Sequence, residues 1–316
     1  VAEEQQILLS IEPLLANPPP GRRSDALTIR NNLAVSFVRT GNMKEAMLRS
    51  DAALAGFIAH LGAEAELTMK VMWFGADIRR LAGQYADCAA QFARLAELRA
   101  RTTGETNPLT VDVFSKAAAC AQLAGDDAAA SRFAARAMAA LPPTDLPPQR
   151  TVLRTLITLQ FVAMDRADAP ATPAMLARAR SLATALNLAH ATPEAMYMVS
   201  IEAVAAARSG DTKSALRSMD AIFAKVPAFG GLPSTRALHT YLLALDGQQS
   251  AARTGMIESR RLAKLRYAEG HPIFAVLEYV DAFIERPADR AAAKRALETA
   301  AGRTAHLPLA PNWFAL

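Results

Sequence analysis

The sequence predicts an all-α solenoid of stacked helix hairpins, and three observations carry that prediction. The first is composition. Of 316 residues, 52% are hydrophobic but only 6% aromatic, and alanine fills stretches such as "KAAACAQLAGDDAAASRFAARAMAAL" (116–141). Alanine favours helix and lets helices approach closely. The second is a ruler of glycines: Gly41, Gly83 and Gly125 stand 42 residues apart, while Gly62 and Gly104, also 42 apart, fall midway between them. The third is the apolar spacing inside each interval, as in Leu33 and Phe37 or Leu48 and Ala52, which places one apolar stripe on a helix.

The elements follow in order. A lone helix near residues 2–16 stops at "NPPPG". From residue 24 each interval of about 21 residues holds one helix and a short turn. Two kinds of turn alternate. "RTGNMKEA", "LAGQYADC" and "LAGDDAAA" are tight, each followed by a polar first turn of helix. "HLGAEAELT" and "TTGETNPLT" are longer, with acidic residues and Thr where a helix begins, as an N-terminus favours. Alternating turns make hairpins in series, and a hairpin that cannot bury its apolar face alone stacks on its neighbours.

The later chain is less regular. "AAARSGDTKSAL" (205–216) repeats the tight turn at Gly210, with Pro227 ending its second helix, and "LLALDGQQSAA" (242–252) repeats it at Gly247. "AMDRAD" (163–168) and "IERPAD" (284–289) stand where two further turns lack glycine, giving about seven hairpins. "LPPTDLPP" (141–148) reads as a wider loop between repeats rather than a hinge. The expected organisation is an N-terminal helix and Pro-rich turn over 1–23, a repeat array over 24–306 (regular over 24–142, irregular over 143–306), and an apolar tail, "LPLAPNWFAL", over 307–316.

Several function classes recede. The net charge of +5 comes from 35 basic and 30 acidic residues that are interspersed, so no direct nucleic-acid contact is expected. Even "SRRLAKLRYAEGH" (259–271), with Arg260, Arg261, Lys264 and Arg266, reads as a solvated helix face. No apolar run reaches the roughly 18 residues a membrane span needs. His60, His190, His239, His271 and His306 include no helical i, i+3 or i+4 pair for a metal. Nucleophile-elbow, phosphate-loop and dinucleotide motifs are missing. Neither an enzyme active site nor a cofactor is expected within this chain. The polar opening "VAEEQQ", without methionine, suggests a processed or excised chain whose catalytic or DNA-reading part lies upstream.

Cys88 and Cys120 lie equally far from Gly104, 16 residues on either side, so an antiparallel helix pair sets them level. A disulfide stays open where their faces agree. The preferred reading is packing, because Cys88 fills the slot of Ala46 and Ala130, and a free cysteine behaves there as a small apolar residue. Two cysteines leave the redox compartment undecided.

"NNLAVSFVRTGNMKEAMLRSDAAL" (31–54) resembles a tetratricopeptide repeat, with Ala34, Phe37, Gly41, Ala46 and Ala53 at the motif positions. Ala76, Gly83, Tyr85, Cys88 and Phe92 follow in the second repeat, and Ala118, Gly125, Ala130 and Ala137 in the third. The 42-residue period and the "G…NPLT" loop resemble the kinesin-light-chain variety found in bacterial proteins. The resemblance implies a right-handed superhelix whose first helices line a concave groove. Carried onto this chain, it places Asn31 and Asn32 in the groove before Gly41, and Lys70, Trp73, Asp77 and Arg80 before Gly83. Before Gly125 it places Asp112, Ser115, Lys116 and Gln122, and before Gly210 it places Tyr197, Ser200 and Arg208.

Such a lining suits a protein or peptide partner, with amides on its backbone, Lys70, Arg80 or Lys116 on acidic groups, and Trp73 as anchor. The family's carboxylate-clamp pattern is incomplete, since no Lys occupies the Asn31 slot. By family habit the chain resembles the C-terminal interaction or sensor part of a larger bacterial regulator. A winged-helix transcription regulator and a serine/threonine kinase are both models, cytoplasmic or periplasmic. The alternatives are a superhelix that senses a small molecule, and a scaffold that self-associates through the tail. Otherwise the tail caps the last hairpin.

Overall fold

A computed structural model describes residues 2–142, 149–164, 172–188, 192–271 and 273–285, less positions 16, 20 and 268, together with residues 291, 295 and 299. The 307–316 tail, most of the Pro-rich loop after residue 142, the turns over 165–171 and beyond 285, and His190 and His306 lie outside the described residues.

Among the described residues the chain forms α-helices and no strand. Helix α1 (Ala2–Ile11) runs into a 3-10 turn, shortening the single opening helix expected from the sequence. Six hairpins follow: α2 (Arg23–Arg39) with α3 (Met43–Leu61), α4 (Glu66–Leu81) with α5 (Tyr85–Thr103), and α6 (Pro108–Leu123) with α7 (Asp127–Ala139). Then come α8 (Arg150–Met164) with α9 (Thr172–Ala185) and α10 (Pro193–Arg208) with α11 (Thr212–Lys225). Pro227 ends α11, as its ring requires, but also starts a four-residue helix, α12 (Pro227–Gly230). Helices α13 (Pro233–Leu245) and α14 (Gln249–Arg266) form the sixth hairpin, and α15 (Ile273–Glu285) lies beyond it.

Each tight turn closes one helix and opens the next with a single dipeptide. At Gly83 (φ 78°) the chain enters the left-handed region, and the Gln84 N–H reaches back to the Arg79 carbonyl at 2.9 Å. Asn42, Asp126, Asp211 and Gln248 make the same 2.9 Å bond to Phe37, Ala121, Ala206 and Leu243. The Asn42, Asp126 and Asp211 side chains then accept from the backbone N–H three residues on, capping α3, α7 and α11. The loose turn differs. Gly104 (φ 89°, ψ 155°) occupies a region open essentially to glycine alone, and Asn107 then caps α6 with Pro108 at its first position.

Small residues set how closely the helices pack. Seven residues before and five after each tight-turn glycine stand Ala34 and Ala46, Ala76 and Cys88, Ala118 and Ala130, Ala203 and Ala215, and Thr240 and Ala252. All ten are at most 1% exposed. Large side chains fill the space between these crossings. One continuous core runs from Met69 to Leu242 through Phe92, Leu95, Phe114, Leu153 and Ile201. A second surrounds Tyr241, Val280 and Ile284 in α13–α15.

Ion pairs tie successive repeats. Arg79 donates to both Asp51 oxygens at 2.8 and 2.9 Å, linking α4 to α3, and Arg136 of α7 pairs with Glu97 and Glu105 while lying 4.1 Å over the Phe114 ring. Arg150 and Glu194 join the starts of α8 and α10 in a bidentate pair at 2.8 and 2.7 Å. Burial works to raise the Glu194 carboxyl, but the Arg150 hydrogen bonds outweigh it and hold it below the usual carboxylate range.

Packing was the preferred sequence reading for Cys88, and here the structure departs from it. Cys88 of α5 and Cys120 of α6 are bonded to each other, with Cα atoms 5.9 Å apart. Both are also fully buried in the small-residue contact between the two helices. The close approach that a small residue permits is what brings two sulfurs on facing helices within reach.

Candidate functional site

Polar side chains of the first helices make the candidate site; α6 stacks closely on α8, and Lys116 of α6 reaches over to α4. On α4, half-buried Trp73 meets Phe74 and Phe92 edge-on, with ring centroids 5.4 and 6.2 Å away. The Lys116 ammonium of α6 lies 5.3 Å over the Trp73 ring, a cation–π contact between neighbouring repeats. Two turns further along α4, Arg80 donates from Nε to Asp77 at 2.8 Å. Burial works to lower the Arg80 pKa, but Asp77 outweighs it and holds the guanidinium charged.

Asp112 sits between these groups on α6, only 2% exposed, with an Oδ1 that meets no hydrogen-bond donor. Burial pushes its pKa up, against the pull of Lys116, Arg154 and Arg99 and with the help of Asp77. The structure therefore gathers Trp73, Asp77, Arg80, Asp112 and Lys116 into one polar region. Three other expected groove residues share the burial of Asp112. Asn31, Ser115 and Gln122 are buried in helix packing, and the Ser115 hydroxyl is satisfied by the Asp112 carbonyl at 2.7 Å. Asn32 and Lys70 are exposed.

The array curls until distant repeats meet. The backbone carbonyl of Leu81 at the end of α4 acts on His271, in the turn between α14 and α15, and works to raise its pKa. Its Nδ1 accepts from the Ile273 N–H at 3.1 Å, so that nitrogen carries no proton and the ring is neutral. Burial pushes the His271 pKa down to about 4, and the Leu81 carbonyl offsets this only in part. Tyr267 stacks on the His271 ring with centroids 3.9 Å apart. Arg80 in turn lies in the field of Tyr197 from α10 and Tyr85 from α5. Burial pushes the Tyr85 phenol up to about 12, with Arg80 opposing and Tyr267 adding to the rise.

Sequence reasoning missed Arg154, Tyr85, Tyr267 and His271 as site residues. Groove positions were counted back from a turn glycine, and α8 has none to count from, which hid Arg154. Tyr85 lies just after its glycine, on a second helix. Tyr267 and His271 act on Tyr85 and Leu81 from nearly 190 residues away, and no local period carries that information.

Among the described residues no group of three or more His, Cys, Asp or Glu side chains is placed to hold a metal ion, and no helix is long and apolar enough to cross a membrane. No family model matches the chain, and no curated protein matches it in sequence. A solved structure does match: a Rap protein complexed with Competence and Sporulation Factor, with TM-score 0.55 and 10% identity over 89% of this chain and 88% of that one. The chain has a tetratricopeptide-like fold. At this level of identity the likeness concerns architecture, and it extends over nearly the whole length of both chains.

Proposed function

We propose that this chain is a protein- or peptide-binding repeat module whose ligand lies along the first helices of the array. The observation that carries this reading is the gathering of Trp73, Asp77, Arg80, Asp112 and Lys116 from two adjacent repeats onto one polar face, joined there by Arg154 from a third. A helix pair that served only to pack would fill this face with apolar side chains. Here an aromatic ring capped by a cation, an oriented guanidinium and exposed amides offer the mixed contacts that peptides use. Asn32 and Lys70 extend the face towards α2. The fold likeness to a Rap protein, solved with Competence and Sporulation Factor, supports the same reading. Such a module acts by binding rather than by catalysis.

The finer context is also part of the proposal. The 42-residue pitch supports the kinesin-light-chain-like variety, and the resemblance supports a place as the interaction part of a larger bacterial regulator. The Cys88–Cys120 bond favours the periplasmic over the cytoplasmic alternative, because cytosolic thiols are kept reduced.

Peptide selection against the full chain tests the reading. Asn32→Ala, Lys70→Glu and Lys116→Gln combined should weaken capture of selected peptides at least tenfold while helicity is unchanged; equal capture would overturn the proposed face. The closure at His271 and Leu81 favours a second reading, an enclosed small ligand. That ligand would raise the melting temperature when a fractionated metabolite extract is added, and peptides would not.

A further inference from the structure

The Cys88–Cys120 bond lies one helical turn from the contacts that hold Trp73. Cys88 and Phe92 are four residues apart on α5, and Lys116 and Cys120 are four apart on α6, so each pair shares a helix face. The two helices run antiparallel about the Gly104 loop, and Phe92 and Lys116 both stand 12 residues from that glycine. They are level with each other, on the loop side of the sulfurs. Trp73 of α4 touches both: Phe92 meets it edge-on at 6.2 Å, and the Lys116 ammonium lies 5.3 Å over its ring. Trp73, Phe92, Cys88, Cys120 and Lys116 thus close a ring of contacts that joins two repeats through one covalent bond. Within the repeat, α5 is pinned to α4 beside Trp73: Gln91 donates to the Met72 carbonyl at 3.1 Å, and Arg99 donates to Glu66 at 3.0 and 3.4 Å. Between repeats, the Thr103 and Thr110 hydroxyls meet at 3.1 Å beside the loop. The sulfur bridge joins α5 to α6 about four turns further along, and Lys116 sits on the stretch of α6 between these two ties.

We propose that the Cys88–Cys120 bond is a redox-dependent positioning element for the peptide face: the bridged chain holds Lys116 over Trp73, and the dithiol chain does not. Unbonded sulfurs keep van der Waals separation, well beyond a bond length of about 2 Å. Both cysteines are fully buried in a close-packed crossing, so reduction forces α5 and α6 apart there. Helix α6 carries that displacement one turn to Lys116, and a cation–π contact weakens as the cation leaves the ring face. Reduction is an exchange with a small dithiol. A reductant thiolate attacks one sulfur and breaks the S–S bond to a mixed disulfide, and the reductant's second thiol then closes its own disulfide. Two electrons and two protons pass from the reductant to Cys88 and Cys120, which end as thiols. The sulfurs are reached only when the helix pair opens, so the exchange is slow. Peptide capture is thereby tied to an oxidising compartment. What is captured rests on the peptide reading; how capture is controlled rests on the ring of contacts.

The test uses the full chain with Trp313→Phe, which leaves Trp73 as its one tryptophan. Peptides selected against the oxidised chain are titrated before and after reduction by dithiothreitol, taken to completion by thiol count. Trp73 emission and far-ultraviolet circular dichroism are recorded alongside. Reduction should shift Trp73 emission and weaken capture about fivefold or more, the scale of one misplaced contact, with helicity unchanged. Reoxidation should restore both. Cys88→Ala with Cys120→Ala removes the chain's two thiols, so dithiothreitol should then change neither emission nor capture. Unchanged Trp73 emission, equal capture by the oxidised and reduced chains, or a response to dithiothreitol that survives in the double variant would overturn the proposal. Loss of helicity on reduction would overturn it too, by making the bond a plain stabiliser. Equal capture in both states would leave the peptide reading standing. A shift of Trp73 emission with no peptide captured in either state would support the positioning role and remove the peptide reading.

Discussion

The hairpins before residue 142 and, α8–α9 apart, those after residue 149 share the small-residue rule yet stack differently. In the first part, α3 and α5 pack closely against α4 and α6, the first helices of the next repeats. Around α8, by contrast, α7 and α9 meet α8 and α10 only lightly, and stacking passes instead through the first helices, α6 on α8 and α8 on α10, before α11 again packs on α13. Inner helices packed closely with outer helices splayed produce curvature towards the inner face. The difference teaches that turn chemistry sets the pitch of the array, while the layer that carries the contact sets its bend. That bend brings the His271 turn within the influence of the Leu81 carbonyl at the end of α4.

The largest effect should come from the staple found in the regular part. Cys88→Ala with Cys120→Ala places alanine where Ala46 and Ala130 already show that it fits, so what is lost is the cross-link. Closing a loop of about 30 residues implies a loss of about 2–4 kcal/mol. Chemical denaturation with and without reductant measures it, and the double variant should be insensitive to reductant. A stability difference within error would mean that the two helices are held by packing alone.

Next come the small slots, which test whether the rule is shared. Ala118→Leu forces a larger side chain into a fully buried crossing and should cost about 1–3 kcal/mol. Thr240 fills the equivalent slot in the later part, with a buried hydroxyl that has no partner. Thr240→Ala should therefore be neutral or stabilising. Two losses of equal size in urea titration would show that the slots are not equivalent.

Much of this was legible in the sequence. The glycine ruler located three tight turns and the turn sequences at Gly210 and Gly247 two more, because left-handed backbone geometry selects glycine and leaves a mark in the chain. The alanines at fixed distances from those glycines marked the helix crossings for the same kind of reason. At the α9–α10 junction Asn187 (φ 46°) takes the left-handed position, and the glycine count passes over it. The candidate site was half legible. Trp73, Asp77, Arg80, Asp112 and Lys116 follow from helical spacing, but the same spacing also selected Asn31, Ser115 and Gln122, which the packing buries as it buries Asp112. Spacing gives the side of a helix and says nothing of how deeply the neighbours cover it. The partners of Arg80 from α10 and the α14–α15 turn depend on curvature, a property of the whole array.

The smallest expected effect concerns the α14–α15 turn and pH. Below the ordinary histidine value of about 6.5, the unfolded chain takes up a proton that folded His271 refuses until about pH 4. Stability should thus be full above pH 6.5 and fall as pH is lowered towards 4, by about 1–2 kcal/mol once partial exposure to water is allowed for. His239, also held down by burial, contributes in the same direction. His271→Gln should flatten the slope of stability against pH over that window; an unchanged slope would place the titration elsewhere.

The central claim is that ligands bind the inner layer of first helices. Amide hydrogen exchange of the full chain, with and without a peptide selected against it, tests this most directly. Protection is predicted to rise in α4, α6 and α8 and at the α14–α15 turn, leaving α5 and α7 unchanged. Protection confined to the second helices, or none at saturating peptide, would contradict it.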